Sequence, residues 1–253
     1  MNDVAPTKIF HLAAQSNVKQ SFQTPVETFQ TNIFGTLNLL ESVRSSKIDP
    51  IIQISSSSEV YGKIVDTQHP IKETHSFYPV SPYAISKIAV DRLGYQYFES
   101  YGLKTIITRA FPHTGPKRPS VFAESSFAKQ LVEIENGKNN EILVGNLDSM
   151  RSFLDVRDMV EAYWICTEKC DFGQVYNVGS ETSVTMKELL DKLVSLSSVS
   201  PSIKFDKTLL RPNDTSFHIP DIAKFKTKTN WKPKIPLEKT LNDLLEFWRQ
   251  SVR

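Results

Sequence analysis

The apolar positions of the chain alternate between short continuous runs and longer stretches with helical spacing. The short runs suit buried parallel strands, which we place at residues 8–14, 51–54, 105–108 and 175–178. The longer stretches predict helices over about 24–43, from 81 onward, and over 155–166, 185–196 and 236–249. Capping boxes are expected at Thr24 with Glu27 and at Thr185 with Glu188. Strands that alternate with helices predict a parallel α/β sheet.

Composition and charge narrow the classes of partner. The 253 residues are 40% hydrophobic, which allows a full core, and 30 Lys and Arg nearly balance 28 Asp and Glu. No long run of one sign occurs, so neither nucleic acid nor a membrane surface is an expected partner. No apolar run reaches membrane-spanning length, and the start of the chain lacks a signal-peptide pattern. Two cysteines, Cys166 and Cys170, favour free thiols in a reducing cytoplasm. The five histidines lack metal-ligand spacing, so no metal is expected.

Tyr83 and Lys87 are the sharpest local feature. Their i, i+4 spacing near the start of a predicted helix, with Ser81 and Pro82 as cap and first residue, puts both on one helical face. An ammonium beside a phenol stabilises the phenolate, so such a tyrosine can exchange a proton with a sugar hydroxyl near neutral pH. A bare pair of this kind is more often an ordinary surface tyrosine and lysine.

Polar residues follow the predicted strand 51–54, and they favour the catalytic interpretation of Tyr83 and Lys87. Ser55 to Ser58 lie at its carboxyl end, where open α/β sheets bind ligands, and Glu59 follows directly. A serine hydroxyl there can bond a reacting oxygen, and Glu59 can act as a base. Alone, these residues would be a solvated polar loop. With Tyr83 and Lys87 they form a group with complementary catalytic roles.

The chain resembles the extended short-chain dehydrogenases that modify nucleotide sugars, the NAD-dependent epimerase/dehydratase family. It is most similar to the branch of GDP-mannose 4,6-dehydratase and GDP-4-keto-6-deoxy-mannose reductase. The matching segments extend from one end of the chain to the other: His11 to Ser16, Asn32 with Gly35, Ser57 to Gly62, Ser81 to Lys87, Arg109 to Phe111, His113 to Pro116, Gly145 to Leu147, Arg151 to Asp158, Arg211-Pro212 and Trp231 to Pro233.

The resemblance implies roles for particular residues. Tyr83 would be the acid/base, and Lys87 its electrostatic partner, which also binds the nicotinamide ribose. Ser57 would hold the sugar oxygen, and Glu59 would abstract a ring proton in a dehydratase. NADP or NAD would be contacted by Leu12, Ala13, Ala14, Gln15, Ser16, Tyr83, Lys87, His113 and Arg118, and the GDP moiety of the substrate by Arg151 and Arg211.

The resemblance also implies an architecture. We expect a partial Rossmann-like parallel sheet with helices on both faces plus a small C-terminal substrate lobe. Residues 1–112 would be the partial nucleotide-binding domain, to which residues 153–180 return, and residues 113–253 would mostly bind the sugar nucleotide. A homodimer is compatible with this family.

Three departures from the family pattern matter. No Gly-x-x-Gly-x-x-Gly stretch occurs, and the chain begins where the family reaches its fourth strand, as a partial gene product would, so we expect residues 8–14 at an open sheet edge. Pro112 and Ser152 stand where the family has asparagine and aspartate. The His113 loop and the stretch 155–158 favour the reductase slightly. The alternatives are a GDP-mannose 4,6-dehydratase, a 4-epimerase of another nucleotide sugar, and a non-catalytic remnant.

Overall fold

Helices and strands alternate along the chain in the computed structural model, which describes residues 3–64, 69–210 and 217–252. The strands are β1 (Lys8–His11), β2 (Ile51–Ser57), β3 (Thr105–Ala110), β4 (His113–Thr114), β5 (Glu141–Val144), β6 (Met150–Ser152), β7 (Leu154–Asp155), β8 (Val175–Val178), β9 (Ser183–Thr185), β10 (Ser202–Phe205) and β11 (Phe217–His218). The α-helices are α1 (Val18–Gln23), α2 (Pro25–Phe29), α3 (Gly35–Arg44), α4 (Pro82–Tyr101), α5 (Ala123–Glu135), α6 (Val156–Lys169), α7 (Met186–Leu196), α8 (Ala223–Thr229) and α9 (Leu237–Ser251). None of the helices in these ranges is long and apolar enough to cross a membrane.

The chain forms two compact units. Of the described residues, the first unit takes those within Met1–Phe111, Val160–Val178 and Pro220–Lys232, and the second unit takes the others. The sequence predicted a return to the first domain over residues 153–180. In the structure the first unit contains the later part of that segment, and it also takes up residues 220–232.

The first unit is built on a parallel sheet with the strand order β1-β2-β3-β8. This confirms the predicted α/β sheet. Among the described residues β1 pairs with β2 alone, so it lies at the sheet edge where the sequence placed it. The carboxyl ends of all four strands meet at one edge of the sheet because the strands are parallel.

Alternating residues of β2 face the helices on the two sides of the sheet. Ile52 and Ile54 are fully buried in one cluster with side chains of α3 and α4. On the opposite side Ser55 lies near the hydroxyl of Tyr163, which α6 supplies. The sheet therefore carries helices on both faces, as expected. The strand itself is longer than predicted and continues through the serines to Ser57.

The helical region after β1 differs from the prediction. One helix was expected over about 24–43, but α2 passes into a π-helical segment, Gln30–Phe34, before α3 begins. The capping box at Thr24 is wrong, because Thr24 makes no side-chain cap bond to α2. Thr24 is also the C-cap of α1, and its hydroxyl contacts Gln20 of that helix instead. Pro25 nevertheless occupies the first helical position, as predicted.

The second unit packs three helices on short strands. Its core contains the apolar faces of α5, α7 and α9, including the fully buried Leu131, Leu189 and Leu244. Strand β6 lies between β9 and β11, and two further pairs are β4 with β7 and β5 with β10. The capping box of α7 is confirmed: Glu188 N donates to Thr185 Oγ1 at 3.1 Å, and Thr185 N donates to Glu188 Oε2 at 2.7 Å.

Candidate active site

Helix α4 presents Tyr83 and Lys87 in its first two turns. Ser81 caps the helix, with Ala84 N donating to its hydroxyl at 3.1 Å, and Pro82 is the first helical residue. Tyr83 and Lys87 are 8% and 5% exposed, so neither is the ordinary surface residue that the bare spacing allowed. Lys87 Nζ lies 5.9 Å from the centre of the Tyr83 ring. Both side chains are therefore buried in the first unit and do not lie on its surface.

Lys87 is held against the central strand. Its ammonium donates to the backbone oxygen of Ser55 at 2.8 Å, two residues before the end of β2. Burial lowers the pKa of Lys87 to about 8. An ammonium with a pKa so near neutrality carries its charge at pH 7, but losing the proton costs much less free energy than it does for an ordinary lysine. It can therefore respond to a neighbouring group that becomes negative during proton exchange.

Ser57 and Glu59 lie at the carboxyl end of β2. Ser57 is buried, and its hydroxyl accepts a hydrogen bond from Glu59 N at 3.2 Å, which caps the short 3-10 turn Ser58–Tyr61. Glu59 is half-buried in the first turn of that segment. The structure thus brings a serine and a carboxylate to the strand end two residues beyond the Lys87 contact.

Asn32 connects this site to the segment that follows β1. Gln15 N donates to Asn32 Oδ1 at 2.8 Å, and Asn32 Nδ2 donates to Gln15 O at 3.0 Å and to Ser86 Oγ at 2.9 Å. The loop from Leu12 to Ser16 is thereby tied to helix α4, which carries Tyr83 and Lys87. Sequence reasoning noted Asn32 only as part of a motif. Asn32 is buried within a π-helical segment, a feature frequent at functional sites.

His11 is a neighbour of the site that the sequence did not single out. Its Nε2 lies 2.9 Å from Thr36 Oγ1. Burial, together with the positive charge of Lys87, lowers the pKa of His11. The histidine is therefore held in its neutral form near the ammonium, where a second positive charge would be unfavourable.

The other predicted ligand-binding residues belong to the second unit or lie outside the described residues. His113 lies in β4 and Arg151 in β6. Arg118 Nε donates to Glu124 Oε1 at 3.1 Å, and its guanidinium carbon lies 3.4 Å from the centre of the Phe122 ring. Arg211 is outside the described residues. The roles of these residues toward cofactor and substrate remain predictions.

The first unit fits one half of a dinucleotide better than the other. The Tyr83 phenol and the Lys87 ammonium are donors suited to ribose hydroxyls, and Leu12 to Ser16 follow the edge strand at the same sheet edge. A pyrophosphate is usually held by a glycine-rich turn at a helix N-terminus. The sequence has nine glycines and no Gly-x-x-Gly-x-x-Gly stretch. Among the described residues, no group of three His, Cys, Asp or Glu side chains could hold a metal ion.

Comparison with known proteins gives consistent matches over nearly the whole chain. The model of the family described as GDP-mannose 4,6 dehydratase matches residues 1–244. The chain is similar to GDP-6-deoxy-D-mannose reductase of Pseudomonas aeruginosa, with 32% identity over 98% of this chain and 82% of the reductase. It is also similar to GDP-mannose 4,6 dehydratase 1 of Arabidopsis thaliana, with 34% identity over 96% of this chain and 68% of that enzyme. The structure of RMD from Pseudomonas aeruginosa complexed with NADPH matches with a TM-score of 0.93 and 32% identity, over 98% of this chain and 83% of that one.

Proposed function

The chain belongs to the GDP-mannose 4,6-dehydratase family, and from that premise we propose that it carries out NAD(P)-dependent modification of a GDP-linked hexose. The observation that carries the proposal is the buried Tyr83 and Lys87 pair, with the Lys87 ammonium bonded to β2 just before Ser57 and Glu59. An acid/base, a cation that stabilises it, a hydroxyl and a carboxylate at one strand end suit proton exchange at a sugar carbonyl.

Each side chain has a distinct part in this proposal. NAD(P), when bound, supplies or accepts the hydride. Tyr83 gives its proton to the sugar oxygen in the reducing direction and takes one back in the oxidising direction. Lys87 stabilises the phenolate that results, and the hydroxyl of Ser57 orients the sugar oxygen. Arg151 and Arg211 are proposed to bind the diphosphate, because a guanidinium pairs with phosphate through two hydrogen bonds.

Within this family we favour reduction of a GDP-4-keto-6-deoxy-hexose at C4. The similarity to the Pseudomonas reductase in sequence, and to the RMD structure with a TM-score of 0.93, supports it. The second candidate is dehydration of GDP-mannose, which Glu59 favours. A dehydratase needs a carboxylate to take a ring proton from the sugar, and Glu59 lies two residues beyond Ser57.

Glu59→Gln separates the two candidates. The assay offers GDP-mannose in one reaction, and the 4-keto-6-deoxy sugar with reduced cofactor in another. A reductase should consume the keto sugar alone and keep most of its rate in Glu59→Gln, because hydride and one proton suffice. A dehydratase should act on GDP-mannose and lose that activity in Glu59→Gln, while Glu99→Gln, at an exposed position of α4, leaves it intact. Turnover of neither substrate would contradict the proposal and direct attention to other nucleotide sugars.

We also propose that this chain binds NAD(P) weakly. The donors that fit a dinucleotide address its nicotinamide half, and the glycine-rich turn that holds the pyrophosphate is absent from these residues. Isothermal titration with NADP and with NAD tests this directly. Dissociation constants in the micromolar range or below would show that other groups in the chain replace that turn.

A further inference from the structure

A buried ion pair fixes the catalytic helix to the neighbouring strand. Arg109 of β3 donates from Nε to Asp91 Oδ2 at 2.8 Å, and from Nη2 to Asp91 Oδ1 at 3.3 Å. The two side chains are 2% and 0% exposed. Asp91 follows Tyr83 and Lys87 on α4 at intervals of four residues, so all three lie along one side of the helix. The ion pair therefore anchors the helical face that carries the acid/base.

The other end of the Arg109 guanidinium holds the segment that follows β2. Its Nη1 donates to the hydroxyl of Tyr61 at 3.0 Å and to Glu73 O at 2.9 Å. Tyr61 OH in turn donates to Asn177 Oδ1 at 2.7 Å. Burial raises the pKa of Tyr61 to about 12, so the hydroxyl keeps the proton that it donates. Asn177 then donates from Nδ2 to Ile71 O at 2.9 Å.

Tyr61 also ends the 3-10 turn that begins directly after Ser57 and contains Glu59. Around it the backbone is paired with the approach to α4: Tyr78 N donates to Tyr61 O at 3.2 Å, and Lys63 N donates to Tyr78 O at 3.1 Å. One connected set of bonds thus runs from the helix of Tyr83 to the turn of Glu59.

The stability of the fold alone does not explain why Arg109 and Asp91 form a buried ion pair. A buried ion pair often stabilises a fold no better than apolar side chains of the same size, because both charges lose their hydration. Proton exchange, in contrast, depends strongly on the distance between the reacting groups. We propose that Tyr61, Arg109 and Asp91 are positioning residues that hold Ser57 and Glu59 in register with Tyr83 and Lys87. The proposal rests on the proposed function for the role of those four side chains.

Tyr61→Phe tests the proposal with little change in packing, because the ring and its contacts remain. We expect kcat to fall about 10²-fold, the order of loss for misplacement by about 1 Å, with KM within about threefold of the wild type. The matched control is Tyr176→Phe, because Tyr176 is 1% exposed and its hydroxyl accepts from Asp171 N at 3.2 Å, in a separate bond. An equal kcat in both variants would overturn the inference.

A double-mutant cycle shows whether Tyr61 acts through the reacting groups. In a Ser57→Ala background, part of what Tyr61 positions is already lost, so Tyr61→Phe should lower kcat by less than about threefold. The same 10²-fold loss in both backgrounds would mean that the hydroxyl of Tyr61 acts independently of Ser57, and it would contradict the proposal that Tyr61 positions Ser57.

Hydrogen exchange gives a readout that needs no turnover. If the hydroxyl of Tyr61 secures the turn, the amides of Lys63 and Tyr78 should exchange about tenfold faster in Tyr61→Phe than in Tyr176→Phe. Unchanged protection at these two amides would refute the positioning role, whatever the enzyme does. If the wild type acts on no GDP-hexose while the two amides lose protection as expected, the proposed function fails and the structural link stands.

Discussion

Gly62 is the position in the candidate site where adding a single methyl group should lower the stability of the fold most. Its φ of 57° and ψ of −120° lie outside the left-handed helical region that other residues sometimes adopt. A Cβ there would be 1.7 Å from Tyr78 O and 2.9 Å from Pro79 N. Both neighbours are backbone atoms, so no side chain can turn away to relieve the contact. Gly62→Ala must therefore push the turn of Glu59 away from the approach to α4.

The expected loss of stability has two parts. Backbone strain at such a position costs about 1–3 kcal/mol. Separating the segments also breaks the bonds Tyr78 N to Tyr61 O and Lys63 N to Tyr78 O, each worth about 0.5–1.5 kcal/mol. Together these give about 2–6 kcal/mol for Gly62→Ala, which is a large share of the stability of an ordinary domain.

Urea denaturation, followed by circular dichroism, measures this loss against Gly102→Ala. Gly102 also has a positive φ, 71°, but a Cβ there meets nothing within 4 Å, so its cost should be about 1–2 kcal/mol. The gain from restricting the unfolded chain is similar in the two variants and cancels. Equal losses of unfolding free energy would show that the approach of Tyr78 to Gly62 has no energetic consequence, and the reasoning would fail.

Two further predictions concern Lys87 and the helix caps. Burial puts the pKa of Lys87 at about 8 in the folded state, against 10.5 ordinarily. The unfolded state therefore binds more protons between these values, and stability rises with pH across that window by about 3 kcal/mol. The free energy of unfolding, measured by urea denaturation at several pH values from 8 to 10.5, should show this rise in the wild type relative to Lys87→Met. The same dependence on pH in both proteins would contradict it. Thr185→Ala should cost about 1 kcal/mol, because it removes the cap of Glu188 N, whereas Thr24→Ala, with no such bond, should cost much less; equal thermal shifts would refute this.

The sequence was a good guide to elements whose pattern is local. The runs at 51–54, 105–108 and 175–178 became neighbouring strands of one parallel sheet, and α7 and α9 bury the leucines that their spacing indicated. Thr185 caps α7 through the bond that its distance from Glu188 predicted. In each case residues a few positions apart determine the outcome, so no distant contact was needed to predict it.

The features that the sequence did not predict depend on contacts between distant residues. Ser55 to Ser57 were expected beyond the end of the strand at 51–54, but they extend β2 along β3. The bonds of Asn32 to Gln15 and Ser86 join residues far apart in the chain, and the spacing of apolar residues does not show them. In the sequence Asp91 is one charged residue of a helix among several. Only the fold shows that it pairs with Arg109, which lies 18 residues later.

The most direct test of the proposed chemistry is reduction of a GDP-4-keto-6-deoxy-hexose by the chain, with NADPH raised until the rate stops increasing. Loss of NADPH absorbance reports turnover, and Tyr83→Phe removes the proposed proton donor while keeping the ring. We predict that turnover falls by about 10²–10⁴-fold in Tyr83→Phe. Tyr95→Phe, at an exposed position of the same helix, should behave as the wild type. A Tyr83→Phe enzyme that keeps the wild-type rate would contradict the assignment of this residue as the acid/base.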